Sequence, residues 1–300
     1  MKTLIRVINR NLKLFFKDKG MFFSALITPM ILLVLYATFL AKVYRDSFAS
    51  ALPDGFTIPD KLLDGTVASQ LISAMLAVSC VTVSFCANLL MIQDKANGSI
   101  CDFTVTPVKR SVIASGYYVA SAVSTLIVTF SALAVCLIYL AAVGWYMTFT
   151  DVLLVMLDVF LLTLFGTALS SCVNFFLNTN GQASAVGTIV SAGYGFLCGA
   201  YMPIASFGEG LQHVLSFLPG TYGTCLVKRH MMRGVFAEMS NVGFPDEVLG
   251  EIKKSIDADL YFFGSEVREW TMFAILAGSV ALFTGLFILL HVLSKKNKKA

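Results

Sequence analysis

Six apolar windows, each long enough to cross a bilayer as a helix, punctuate the chain at approximately 21–41, 66–92, 112–143, 152–177, 183–203 and 271–293. None contains Lys, Arg or Glu, and only the fourth holds an acid, Asp158. A hydrocarbon core about 30 Å thick takes roughly 20 residues at 1.5 Å each, so these windows are the natural unit to count. A lone segment in lipid must satisfy its own backbone hydrogen bonds, which makes helices the economical solution. The windows are too long for barrel strands and show no period of two, so a porin-like barrel is excluded. Ahead of them, Arg6, Arg10, Lys13 and Lys17 fall on one stripe of a helix, with Ile5, Ile8, Leu12, Phe15 and Phe16 on the other side. This pattern predicts an interfacial amphipathic helix over 1–20, with a plain basic flank as the simpler alternative. A secretory signal is excluded because the apolar stretch is too long and begins too late.

Composition reinforces the pattern. Of 300 residues 57% are hydrophobic and 13% charged, with a mean hydropathy of +0.79, which no single soluble core can hide. A disordered chain, a coiled coil, a secreted disulfide scaffold and a nucleic-acid binder are excluded on the same ground, because the net charge of +4 is sorted by membrane side. Segments 1–20, 93–111 and 294–300 hold thirteen cations against three acids, whereas 42–65, 144–151 and 204–270 hold nine against fourteen. The positive-inside rule then predicts that both termini and the basic tail 294–300 are cytoplasmic. The seven cysteines form no C-x-x-C pair and sit mostly in apolar runs, as reduced structural residues do.

Catalytic signatures are missing. There is no G-x-S-x-G, no H-E-x-x-H and no Gly-Lys dipeptide of a phosphate loop, and His213, His230 and His291 are scattered. No catalytic residue and no metal site is predicted, and any nucleotide that drives this chain must bind to another. Gly193, Gly195 and Gly199 superficially resemble a dinucleotide fingerprint, but they lie inside an apolar window and predict close helix packing instead. Asp158 sits about seven residues from the end of its window. An acid at that depth costs about 2.5 to 3.5 kcal/mol, so it is read either as functional or as snorkelling or bonded to a nearby hydroxyl. Asn88, Asp158 and Asn174 are the candidate pathway residues.

The polar connector 93–111 reads QDKANGSICDFTVTPVKRS. Ser99 with Asp102 matches a capping box, Gly98 permits a turn before it, Ile100 and Phe103 give an apolar edge and Pro107 stops the helix. A short helix pinned between two spans would lie across the cytoplasmic face, where a soluble partner can reach it. Asp94, Lys95, Gly98, Ser99, Ile100, Phe103, Thr106 and Pro107 also resemble the corresponding loop in permease subunits of type 2 ABC exporters, with Ala96 and Cys101 where acids are common. A second match follows the fifth window, in Gly199, Pro203, Leu211, Gln212, Leu218, Pro219, Thr221 and Tyr222, with Gly210 in place of a frequent Trp.

The resemblance implies an all-α integral membrane protein of six spans, with a coupling helix around Ser99 to Phe103 and outer re-entrant helices over 204–227. It also implies separate cytoplasmic ATPase subunits that hold ATP and Mg, no cofactor on this chain, a second permease copy or paralogue, and a bacterial plasma membrane. The expected role is export of a lipid-like, amphiphilic, drug or peptide substrate. A non-transporting interaction or immunity protein is the alternative, and a membrane-embedded enzyme is disfavoured. Residues 234–268 exceed the resemblance. There Pro245, Asp246 and Glu247 mark a start, and Val248, Leu249, Ile252, Ile256 and Leu260 one apolar side, predicting an exposed helix of about four turns on lipid, over the outer mouth or against a partner.

Overall fold

The computed structural model describes residues 2–50, 58–105 and 108–296. Helix α1 (Lys2–Lys17) leads into α2 (Lys19–Leu35), whose first turn is capped by Asp18 through a 3.1 Å bond from the Met21 amide. A π-helical turn at Tyr36–Leu40 joins α2 to α3 (Ala41–Ser50). Then come α4 (Asp60–Ala96), the short α5 (Ser99–Thr104), α6 (Arg110–Val143), α7 (Phe149–Phe175) and α8 (Asn180–Leu197). A 3₁₀ turn at Ile204–Ser206 precedes α9 (Glu209–Leu215), α10 (Pro219–Asn241) and α11 (Asp246–Ser255), and a two-stranded hairpin (β1, Tyr261–Phe262; β2, Ser265–Glu266) precedes α12 (Glu269–Lys296).

Among the described residues, five helical segments are long and apolar enough to cross a membrane: Lys19–Asp46, α4, α6, α7 and Glu269–Leu293. Helix α8 occupies the fifth expected window but is 18 residues long and less apolar, with Asn180 and Gln182 in its first turn. Its end at Leu197 comes earlier than expected because Gly199 turns the chain with φ +72°. The tight packing expected of its small residues is found at Gly195, where a Cβ would stand 2.3 Å from the Tyr201 ring, and at Gly199 against Asp257 and Ile204, but not further up the helix. Only Ala183, Tyr194 and Gly195 of α8 are buried, and a Cβ on Gly187 or Gly193 would meet nothing.

Helix α4 is the mast of the bundle. At 37 residues it spans about 55 Å, so it projects beyond a bilayer core at both ends. In its most apolar window 89% of residues are buried, against 11% for α12 and 19% for the first crossing, so α2 and α12 turn their side chains outward. That suits their sidedness-free apolar composition, since lipid accepts every face. Val81, Val155, Val159, Leu162, Leu226 and Met231 form the core where α4, α7 and α10 meet. Close approach there depends on small residues: Gly166 of α7 lies against the Cys80 carbonyl and Val81 of α4. At Gly234 of α10 a Cβ would stand 1.9 Å from the Tyr146 carbonyl oxygen, so only glycine lets α10 pass under the α6–α7 connection.

The segment after α8 departs from expectation. Helix α10 is a single 23-residue rod that runs to Asn241, past the short helices expected up to 227, and it is buried for most of its length. Helix α11 has ten residues instead of four turns, because the chain turns at Asp257 with φ 58°. Its apolar side is covered by protein. Leu249 and Ile256 join Met232, Val235, Phe236, Met239 and Phe244 in one cluster, so the sequence pattern marked a face for α10 and not for lipid.

Candidate functional site

Two ends of the bundle differ in charge, and each concentrates chemistry. At the basic end, the Arg10 guanidinium of α1 forks onto Asp94 of α4, with Nη1 2.5 Å from Oδ2 and Nη2 3.3 Å from Oδ1. The Tyr117 hydroxyl of α6 also donates to Asp94 Oδ2. Arg10 lies over the Phe103 ring of α5, 5.2 Å from its centroid. Four helices therefore meet on one ion pair, and the Asp94 carboxylate holds the Arg10 guanidinium above its already high ordinary value. The stripe reading set Arg10 on the basic side of an interfacial helix; in the fold it is one-third exposed and reaches across to the buried Asp94.

The next residue anchors a different helix. Lys95 Nζ donates to the carbonyl oxygens of Asn174 (3.2 Å), Phe175 (2.9 Å) and Leu177 (2.9 Å) at the end of α7. The Asn174 carbonyl also accepts from the Leu177 amide, and the ammonium adds a charged donor at this helix end, where it complements the helix dipole. Gly98 adopts φ +76° and is itself the N-cap of α5, which puts Ser99 already inside the helix. The expected Ser99–Asp102 capping box is thus not made, since the cap position has moved one residue earlier. Asp102 is exposed and Ser99, Ile100 and Phe103 are partly buried, so α5 lies along the surface. Thr106 and Pro107 are outside the described residues.

The pathway candidates lie in the interior. Asn88 of α4 donates to Ser170 and, at 3.2 Å, to Ser171 of α7, and Ser84 meets Thr167 at 3.3 Å one turn away. Asn174 is buried nearby with its side-chain Nδ2 unpartnered among the described residues. Asp158 is fully buried and meets neither lipid nor a hydroxyl: its Oδ2 is 2.6 Å from His230 Nδ1 on α10, while Oδ1 has no partner. His230 Nε2 lies 3.2 Å from Glu269 Oε1, out of hydrogen-bond alignment, and its ring stacks on Phe273. Both snorkelling and hydroxyl bonding are replaced by an acid–imidazole pair, which offsets part of the cost of a buried acid.

At the acidic end, the second motif is clamped from both sides. Lys228 Nζ of α10 donates to the carbonyls of Gly199 (2.6 Å) and Ile256 (3.0 Å). The Asp257 carboxylate, 3.9 Å from Lys228, accepts from the Ile204 amide (2.5 Å) and the Ala205 amide (3.2 Å) just after Pro203. Leu218 is the N-cap of α10 and Pro219 its first residue, where a missing amide costs nothing. Thr221 Oγ1 and Tyr222 Oη reach back to the carbonyls of Leu215 (2.9 Å) and Ser216 (2.6 Å), closing the α9–α10 corner.

Residues 3–228 match the family model described as ABC-2 type transporter. The chain belongs to this family. It is accordingly an ABC transporter permease, a membrane component whose family works with ABC ATPase subunits. No curated protein matches the chain significantly. The matched region contains both anchored motifs of the permease, but it ends at Lys228, leaving Asp257, Glu269 and α12 beyond it.

Sequence reading of the permease located Asp94, Lys95 and Gly98 but missed Arg10, Tyr117, Lys228, His230, Asp257 and Glu269 as partners. One signal was legible: Lys228 stands in the otherwise apolar run TCLVK, where a cation needs acceptors. Nothing local marks Asp257, which lies 29 residues further on. Among the described residues no cluster of His, Cys, Asp and Glu could hold a metal ion.

Proposed function

We propose that this permease is the membrane-spanning subunit of an ATP-driven exporter, pairing with a second copy or a related permease and driven by separate cytoplasmic ATPase subunits. Its substrate is lipid-like, amphiphilic, a drug or a peptide, and the chain itself carries out no covalent chemistry. The reading places six spans in a bacterial plasma membrane, with α8 as the fifth, both termini in the cytoplasm and α9–α10 as the outer re-entrant segment. Helix α5 is the part on which the ATPase pushes, and Asn88, Asp158 and Asn174 remain the residues proposed to influence the path.

The observation that supports it most is the contrast between a surface-lying α5 and the anchored end of α4 that leads into it. Arg10–Asp94–Tyr117 ties α5's surroundings to α1, α4 and α6, and Lys95 ties the same corner to α7. A push on α5 therefore reaches α1 and three long helices at once instead of bending a loop. The exposed small residues Ser184, Ala185, Thr188 and Ala192 on one side of α8 support a second copy, since small residues let helices approach closely.

The test is to co-express the chain with candidate ATPases and measure co-purification and ATP hydrolysis, then repeat with residues 98–107 replaced by a flexible Gly-Ser linker. Loss of ATPase binding with the membrane bundle intact is expected. Undiminished coupling in the linker variant would refute the assignment and favour a non-transporting membrane protein.

A further inference from the structure

A groove of about 540 Å³ opens between the N-terminal part of α6 and the C-terminal part of α12 at the basic end, where its lining residue His291 packs against Phe175 beside the Lys95 anchor. Its body is apolar, with Ala114, Phe287, Ile288 and Val292 as walls, and Tyr118 spends its hydroxyl on Thr284 at 2.8 Å. Its mouth is cationic. Lys109 and Arg110 line it, no acid does, and the N-terminus of α6 carries no side-chain cap, so first-turn amides add partial positive charge. His291, also lining it, has a buried Nε2 with no hydrogen-bond partner among the described residues.

A free anion would suit the mouth but leave the apolar body empty, and an uncharged lipid would fill the body but leave the cations unmatched. We infer that the groove between α6 and α12 is a binding site for one anionic phospholipid, its phosphate at Lys109 and Arg110 and an acyl chain along Phe287 and Ile288. Two cations at a membrane surface attract such a headgroup, and the lateral opening between two spans admits the chain directly from the bilayer. The site rests on the membrane-spanning reading alone; it requires neither transport nor an ATPase.

The full chain in uncharged detergent is titrated with dioctanoyl phosphatidylglycerol, dioctanoyl phosphatidylcholine or inorganic phosphate, and bound lipid is counted by native mass spectrometry. Wild type is expected to take up phosphatidylglycerol saturably, one per chain. The Lys109→Gln/Arg110→Gln double variant should bind about 30-fold more weakly, near 5-fold per cation. Ser115→Phe fills the exposed side of the groove while keeping both charges, and it should also lose the lipid, which decides the matter if the double variant does not fold. Equal affinity for the two lipids, wild-type affinity in the folded variants, or inorganic phosphate saturating with the lipid's affinity would each overturn the site.

Discussion

Lys95 and Lys228 solve the same problem at opposite ends of the bundle, and they solve it differently. Each ammonium is surrounded by backbone carbonyls, three at the end of α7 for Lys95 and two at turns for Lys228. Lys228 is 2% exposed and has a carboxylate at 3.9 Å, whereas Lys95 is only partly buried and faces the aromatic ring of Phe175 instead. At the acidic end the groups nearest the clamp, Gly199, Ile204, Ile256 and Asp257, are buried, which suits a static plug. At the basic end the anchors are only partly buried, and the segment they flank, α5, remains at the surface. A lever needs that combination: an anchored base and a reachable arm.

Removing each lysine is the sharpest way to break the comparison. Lys228→Ala should cost the most, about 3 to 5 kcal/mol, because it leaves Asp257 buried without its cation and two carbonyls unpaired. Thermal unfolding in detergent checks it, and a wild-type midpoint would show that the acidic end is no plug. Lys95→Ala should cost about 1.5 to 3 kcal/mol by the same measurement, the range for hydrogen bonds to a charged group, since water can reach part of the vacated site.

Arg10→Gln sharpens the other side. Its partner Asp94 is buried while Arg10 itself is one-third exposed, so about 1.5 kcal/mol is expected, between a surface and a buried pair. Its ATPase coupling should fall by more than its stability does; a proportional loss would make the junction merely structural. Gly98→Ala tests the lever's pivot in isolation. No atom lies within 4 Å of the added Cβ, so only the left-handed backbone resists, at about 1 to 2 kcal/mol.

The smallest effect is one of pH. Burial pushes the Asp257 carboxyl above its ordinary 3.8, against the pull of Lys228 and the Ile204 and Ala205 amides. A raised folded value means that the native chain keeps this proton longer than the unfolded one, so the contribution is complete below 3.8 and is lost as pH rises through the folded value. Wild type should therefore lose stability relative to Asp257→Asn as pH climbs above 3.8, read from unfolding midpoints across the acid range. Parallel curves would mean that Asp257 titrates alike in both states.

The apolar windows by themselves determined that this is a bundle of helices in lipid, because length and the absence of charge are local properties that a bilayer reads one segment at a time. They placed α4, α6, α7 and α12 and located the polar segment around Gly98. The pairings were decided only by tertiary structure: Arg10 with Asp94 across 84 positions, Asp158 with His230 across 72, Lys228 with carbonyls on either side of it. The same limit misplaced the apolar side of α11, which pattern reading could assign to lipid as well as to α10. Periodicity says that a face is dry, and a charge run says that it is wet. Which distant group completes a buried cation's coordination depends on how the helices cross, and that is settled by packing across the whole bundle.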